Sequence, residues 1–443
     1  MALPTARRPA ATLNRDYERR PYWHATMPAV PSYRDRALPD SVDVVIVGGG
    51  YLGINAAREL ARAGAAVTLV EAEGLGFGGS TRNGGIVHPG YKWGRSALMR
   101  KYGDDTGRAL WAETMAGYET IKRVIADEAI DCEFRECGYL DLAWAPAHAR
   151  ELRESVDGYR ELGIAAEYVE KADLADEIGS TFYHGGLVFP PSGLLHPGKY
   201  FAGLARAAAD AGVDLHEGTR ATAIRRQGDG RLVVETARGA IVAKDVVVGT
   251  NGYTDGAVPA LRRRVIPIGS YIIATEPLPE ELARVLSPRG RAFFDTKNFL
   301  YYWHISEDRR MIFGGRASFL PMGMDRIHAI LHRGMLEVHP QLAGFRIDYG
   351  WGGNVGFTYD RMPHVGRQDG ITYGLGCCGT GVALMTSLGI EIARWLGGGP
   401  EPALARLGFP LVPAPYEGRP WFLPFVGEWF RLQDALARRG IPG

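Results

Sequence analysis

Apolar residues from Val44 to Val47 run without interruption into Gly48-Gly49-Gly50, and the pattern then changes period. An unbroken run of this kind marks a strand covered on both faces, as in parallel sheets. Residues 54–63 read as a helix, and 66–70 as a second strand ending at Glu71. Residues 97–128 have helical period, with Leu98, Tyr102, Leu110, Met115, Tyr118 and Ile121 in one stripe. The pattern predicts a strand at 139–144, a surface helix at 147–162 and a helix at 199–211. Strands follow at 214–224 and 232–236 around the turn Gly228-Asp229-Gly230, and a buried parallel-type strand at 246–249. From 265 to 316 the spacing changes to short alternating strands, at 270–275, 300–305 and 311–314, an antiparallel signature. A helix over 324–338 comes next, then a strand at 371–374 leading through glycines into a helix at 382–396.

Two kinds of structure are therefore interleaved. The expected fold class is α/β with an α+β substrate part. A Rossmann-like nucleotide-binding domain takes residues 41–115, 195–262 and 350–400, and a mainly antiparallel substrate domain takes 116–194 and 263–349. Residues 1–40 read as an arm with aromatic anchors Tyr22, Trp23 and Tyr33, and 401–443 as a C-terminal tail. Gly48, Gly50 and Gly53 fit G-x-G-x-x-G between strand and helix. The first permits a tight turn, the second lets backbone approach a pyrophosphate, and the third brings helix and strand together. Glu71 stands where such folds place an acid on a ribose hydroxyl. The late return to a strand, glycines and a helix at 373–381 suggests an elongated cofactor gripped at two distant points, which FAD matches better than NAD.

Bulk properties exclude more than they assign. The 443 residues are 46% hydrophobic and 23% charged, ordinary globular values, and a net charge of +1 gives no electrostatic case for nucleic acid. Cys132, Cys137, Cys377 and Cys378 make no C-x-x-C pair and no zinc set, so no metal is expected and a reducing, cytoplasmic setting is. His328 and His332 have i, i+4 spacing, which a solvated helix face explains. Arg7-Arg8 lacks the apolar segment of an export signal, and no run is long enough to span a bilayer. No Ser/His/Asp arrangement is apparent.

Seven motifs carry a family resemblance. They are residues 45–53, Phe77-Gly78-Gly79-Ser80-Thr81-Arg82-Asn83-Gly84-Gly85, residues 247–253, Phe313-Gly314-Gly315-Arg316, Trp351-Gly352-Gly353, Asp360-Arg361-Met362-Pro363 and residues 376–382. In this order, over about 20–430, the chain resembles the FAD-dependent D-amino-acid oxidase-like (DAO) family. The nearest likeness is to its gamma-glutamylputrescine oxidoreductase, glycine oxidase and sarcosine oxidase branch, through Gly-Ser-Thr-Arg-Asn-Gly-Gly and residues 270–277. The resemblance implies that Gly48, Gly50 and Gly53 hold the pyrophosphate and Glu71 the adenosine ribose. It places Ser80, Arg82, Asn83, Gly84 and Gly85 along the ribityl chain and the ring, Ala223 at the adenine, and Gly379, Thr380, Gly381 and Val382 at the flavin N1/O2 edge. Oriented N–H groups at a helix start would stabilise the charge of the reduced ring there. Val355 occupies the position of a linking cysteine, and Arg82 and Asn83 that of a linking histidine, so FAD is expected to be non-covalent. Ile312 stands at the position of the sarcosine oxidases' oxygen-activating lysine. Lys92 and Lys297 are either its substitutes or solvated surface residues.

The family chemistry is hydride removal from the carbon beside an amine, giving an imine that hydrolyses to an aldehyde or keto acid. Oxygen is the expected acceptor, with a quinone or carrier, or a role as one subunit of a heteromeric flavoprotein, as alternatives. Tyr271, Tyr301, Tyr302, Trp303, His304 and Trp351 supply an aromatic set for a small amine or amino-acid pocket. Strand alternation aims Tyr302 and His304 together. His88 lies near the flavin face or is satisfied by backbone, and Arg316 pairs a substrate carboxylate or buttresses the sheet. The candidate catalytic set is therefore Tyr302, His304, His88 and Tyr271. The aromatic tail, with Trp421, Phe422, Phe425, Trp429 and Phe430, is expected to cover the body or to make a contact in a homo-oligomer.

Overall fold

The structure is a computed structural model that describes residues 13–14, 16–317, 319 and 322–440; Arg7-Arg8 and the rest of the first twelve residues lie outside these. Strand Ser41–Val47 sits at the centre of the first sheet, with Val44 to Val47 at most 6% exposed. It pairs in parallel with Gly239–Val248 on one side and Val67–Val70 on the other. Asp214–His216 continues the sheet beyond Val67–Val70, and Leu232–Thr236 and Ala221–Arg226 extend the far side. Ile371–Leu375 also joins Gly239–Val248 in parallel and carries the hairpin partner His364–Gln368. Helices Tyr51–Arg62 and Gly381–Leu396 cross closely, because a Cβ at Gly389 would lie 2.4 Å from the Leu52 carbonyl oxygen.

The second sheet runs in the order 347–357, 266–275, 311–315, 301–305, 292–295, 139–142, 186–189 and 167–169. Its pairs are antiparallel except 139–142 with 292–295. Alternation sorts its faces: Leu140, Leu142, Phe293, Trp303 and Phe313 are fully buried in one core with Leu331 and Met335 of helix Met324–Val338. The opposite face looks toward the first sheet.

The structure redraws several expected boundaries. Strand 347–357 pairs along ten positions with 266–275, so the return to the first sheet starts at His364 and not at 350. The helix expected over 97–128 is two, Arg95–Tyr102 and Asp104–Asp127, broken at Gly103 with φ 81°. The strand expected over 214–224 is also two, separated by Glu217-Gly218-Thr219-Arg220, with Gly218 at φ 59°. His328 and His332 are buried, and His328 Nδ1 meets the Tyr17 hydroxyl at 2.8 Å, so they do not form a solvated face. The last helix, Leu423–Arg438, is fixed where Asp434 accepts hydrogen bonds from Asn298 and Phe299 and where Arg438 donates to the Trp144 and Phe182 carbonyls. Trp421, Phe425 and Trp429 nevertheless stay 57%, 73% and 55% exposed, so these rings do not cover the body. No helix among the described residues is long and apolar enough to cross a membrane.

Glu113 on helix Asp104–Asp127 faces Glu391 on helix Gly381–Leu396. Burial first, and then the neighbouring carboxylate, raise the Glu113 pKa, so Glu113 holds its proton beside Glu391. A proton held more tightly in the folded state makes stability fall as pH climbs above the ordinary carboxylate range. Glu113→Gln is expected to remove that fall. Thermal midpoints taken across the pH range would show a flatter profile than wild type, and an unchanged slope would refute the retained proton.

Candidate functional site

A cavity of about 660 Å³ runs between the two sheets. At one end it is lined by Gly48, Gly50, Glu71 and residues 219–221, and at the other by Lys92, Asp141, Phe294 and Tyr302. The glycine turn is built as its spacing predicts. Gly48 adopts φ 104°, and a Cβ on Gly53 would lie 1.9 Å from the Gly48 carbonyl oxygen. Glu71 Oε2 accepts the Gly49 N–H at 2.8 Å and Oε1 accepts the Glu73 N–H at 2.9 Å. Burial raises its pKa against the pull of those bonds. Gly53, Gly85 and Ala223 do not line the cavity. Gly53 sits beneath the turn, Gly85 is tucked against the Leu195 carbonyl with φ 74°, and at the strand's end Ala221, with Thr219 and Arg220, lines the cavity while Ala223 does not.

The loop 79–85 is held from behind. The Ser80 hydroxyl accepts the Tyr51 N–H at 3.0 Å, and Asn83 Oδ1 accepts the Gly85 N–H at 2.8 Å. Three ring nitrogens then take three successive carbonyls. Trp351 Nε1 donates to Arg82 at 3.0 Å, Trp23 Nε1 to Asn83 at 2.8 Å, and His304 Nε2 to Gly84 at 2.8 Å. With the carbonyls pulled outward, Ser80, Arg82, Asn83 and Gly84 are left facing the cavity. His304 is thereby corrected: it lies behind the loop, with its pKa lowered to about 4 by burial, and acts as a neutral N–H donor to Gly84. Trp23 and Trp351 were not assigned to the loop from sequence, since neither lies within about fifty residues of it in the chain.

The second grip point is also formed. Asn251 Oδ1 accepts the Gly376 N–H at 2.9 Å, which sets the turn before helix Gly381–Leu396. No side chain caps that helix, and Gly379, Thr380, Gly381 and Val382 all line the cavity. Uncapped N–H groups at the start of a 16-residue helix favour negative charge. Cys377, Cys378 and Val355 are beside them, and burial pushes the Cys378 thiol up to about 12, which keeps it protonated and unreactive.

At the far end the sheet presents Tyr302, whose hydroxyl meets Ser270 Oγ at 3.0 Å and whose ring fills the space a Cβ on Gly84 would take. His88 stands edge-on to Tyr139 and Phe294, with ring centroids at 5.7 and 5.4 Å, while its Nδ1 bonds the Pro89 carbonyl at 2.9 Å. It is thus both backbone-satisfied and part of the wall. Tyr271 is not: the strand turns Ser270 inward and Tyr271 outward, toward Met324 and Gly352. Only Lys92 of the two lysines is exposed, and it is so along the cavity wall. Lys297 is buried, 3.0 Å from Asp295 and over the Tyr301 ring, and Lys92 points into the cavity. Ile312 is packed in a core and does not reach the cavity. Arg316 donates to the Asn298 carbonyl at 3.1 Å, lies 4.8 Å over Phe357, and has no carboxylate partner among the described residues.

The family of FAD dependent oxidoreductases known as DAO matches residues 43–395, four-fifths of the chain. This protein belongs to the DAO family. It is 34% identical to gamma-glutamylputrescine oxidoreductase of Escherichia coli K12, over 89% of this chain and 93% of that one. It is also 34% identical to the probable oxidoreductase OrdL of Rhizobium meliloti, over 93% of this chain and 97% of that one. Among solved structures, glycine oxidase from Geobacillus kaustophilus matches with a TM-score of 0.70 at 21% identity, covering 84% of this chain and all of the other, which shows the shared fold.

As a DAO enzyme the chain is an FAD-dependent oxidoreductase, and its cavity fits that cofactor. Glycines stand where a Cβ would collide with neighbouring backbone, an acid lines the cavity beside the glycine turn, and an uncapped helix start faces the middle. In the DAO fold, Gly48, Gly50 and Glu71 would hold the adenosine diphosphate half. Residues 80–84 and 379–382 would hold the flavin half, and FAD would supply hydride acceptance.

Proposed function

We propose that this protein oxidises the C–N bond of a small amine or amino acid, giving an imine that hydrolyses to an aldehyde or keto acid, with oxygen reduced to hydrogen peroxide. The observation that carries this reading is the far end of the cavity, where Tyr302, Phe294, Tyr139 and His88 form an aromatic wall beside residues 82–84. Such surroundings desolvate an ammonium and favour the neutral amine, the form with a lone pair to assist hydride loss. The name of the E. coli relative supports an amine as substrate. Oxygen as acceptor is supported by Lys92, a cation facing the cavity in place of the buried Ile312, and a quinone or carrier is the alternative. FAD is taken as non-covalent because Val355 offers no nucleophile and Cys378 is held as a thiol. Four free cysteines fit a reducing cytoplasm.

The test is to follow the visible spectrum anaerobically with a panel of primary, secondary and polyamine substrates, then admit air. Bleaching by one amine class and rapid recovery in air would support the oxidase; slow recovery would favour the other acceptor. Flavin that no amine bleaches would overturn the reading. Acid-precipitated protein is expected to release all its yellow colour to the supernatant.

A further inference from the structure

Asp141 has no part in the chemistry described so far. It lies on strand Tyr139–Leu142, where Leu140 and Leu142 are fully buried on one face and Tyr139 and Asp141 turn to the other. Register fixes its neighbours: Asp141 pairs with Phe294, and Phe294 pairs with Tyr302. The three side chains therefore form a row across adjacent strands, all lining the cavity. With strands ~4.8 Å apart, the carboxylate stands ~10 Å from Tyr302 and from the loop it touches. Phe294 lies between the two, and a small amine would rest over its ring. The Asp141 carboxylate accepts no hydrogen bond and has no ion-pair partner within 4.0 Å among the described residues. Lys92 lines the same end, is likewise unpaired, and is close enough for its charge to act on Asp141. The carboxylate is half-buried with its free side on the cavity, so its hydrogen-bonding capacity is open to a ligand there.

We propose that Asp141 is the proton acceptor for the substrate. The incoming ammonium docks against it, the N–H bond breaks, an O–H bond forms on Asp141, and the electron pair stays on nitrogen as the free amine. No electron leaves in this step; oxidation of the C–N bond follows. The proposal rests on the amine-oxidising reading above.

The surroundings make the transfer feasible. Lys92 is itself a primary alkylammonium on this cavity wall; its side chain is exposed to the cavity, and the protein crowded around it, with the Arg316 charge, lowers its pKa to about 8. A substrate amine at the same end meets the same field. Burial, with Asp295 adding, raises Asp141 to about 7 even though Lys92 opposes it. Donor and acceptor are then within about tenfold of each other in proton affinity. The other groups facing Asp141 do not compete. Asp295 is bound by Lys297, Tyr183 and the Tyr301 N–H, Tyr139 and Tyr159 have raised pKa values and stay neutral, and His88 is neutral with its pKa lowered.

The experiment is stopped-flow bleaching of the flavin holoenzyme across pH, with the fastest amine of the panel and its β-fluoro analogue, whose ammonium is more acidic. In wild type the rate is expected to fall as pH drops through about 7, at the same midpoint for both amines. Asp141→Asn is expected to slow bleaching about 100-fold near neutrality, with a remaining limb that follows each amine's own acidity. Asp141→Glu should recover part of the rate. In infrared difference spectra, a protonated carboxyl band should appear when the amine binds and be missing in Asp141→Asn. Because Asp141 bonds to nothing in the protein, the Asn variant should retain its flavin. It should also melt higher at pH 8, since a carboxyl with a raised pKa loses stability as pH rises through its titration. A wild-type limb that shifts with the fluorinated amine, or an Asn variant that bleaches at the wild-type rate, would overturn the assignment. Flavin that no amine bleaches in wild type would instead overturn the amine reading beneath it.

Discussion

Gly53→Val is expected to yield a protein without flavin and with a sharply lower melting temperature. A Cβ at this position would sit 1.9 Å from the Gly48 carbonyl oxygen and 3.1 Å from its carbon, so backbone must separate from backbone. Helix Tyr51–Arg62 has nowhere to go. On its other side Gly389 of helix Gly381–Leu396 already approaches the Leu52 carbonyl as closely as a glycine permits. Overpacking of this kind costs ~1–3 kcal/mol in a core able to adjust, and valine adds two methyl groups beyond the Cβ. Any relief moves Gly48 and Gly50, the turn on which the pyrophosphate depends. The ratio of flavin to protein absorbance and a melting curve are the readouts. Gly408→Ala is the control, because a Cβ there meets nothing within 4 Å. A Gly53 variant with full flavin and an unchanged melt would sink the argument.

Trp23→Ala should have the second largest effect, on cofactor retention as much as on stability. Trp23 is 1% exposed and packs with Tyr22, Ile272, Ile312 and Trp351, so truncation is expected to cost ~3–5 kcal/mol. Trp23→Phe separates the two contributions. It keeps a ring but removes the N–H from the Asn83 carbonyl, leaving a buried acceptor unpaired at ~1–3 kcal/mol. If the three ring nitrogens position residues 82–84, the Phe variant should bind FAD ~10-fold more weakly or worse, measured by fluorescence recovery on titrating the apoprotein. Equal affinity in wild type and the Phe variant would mean the tryptophan serves only to fill space.

What could be read from the sequence follows a physical division. The glycine turn, Glu71 and the strand–glycine–helix return are local: a few consecutive residues contain both the conformation and its reason, and the structure places each of Gly48, Gly50, Glu71 and 379–382 on one cavity. Alternation along 301–305 was enough to separate Tyr302 from Trp303. It was not enough for His304, which shares the inward face but is covered by Trp23 and the 82–84 loop, segments remote in the chain. Tyr271 failed for a related reason, since a lone aromatic in a ten-residue strand does not say which of the two faces is the wet one. Asp141 carried a signal that went unused. Tyr-Leu-Asp-Leu puts both leucines on one face, so the acid had to be on the other. Lys92 was unreadable because nothing in its neighbours shows that a loop turns it inward.

The hold of Trp23 on Asn83 has a bearing on biosynthesis. The N-terminal arm leaves the ribosome well before its partner Trp351 and the helix start at Gly381. Synthesis delivers domains in order from the N-terminus. Here the glycine turn emerges early as an incomplete shell whose opposite wall does not yet exist. Cofactor capture is consequently confined to chains already extended past the helix start at Gly381. The arm then closes over a loop whose last support was made long after it.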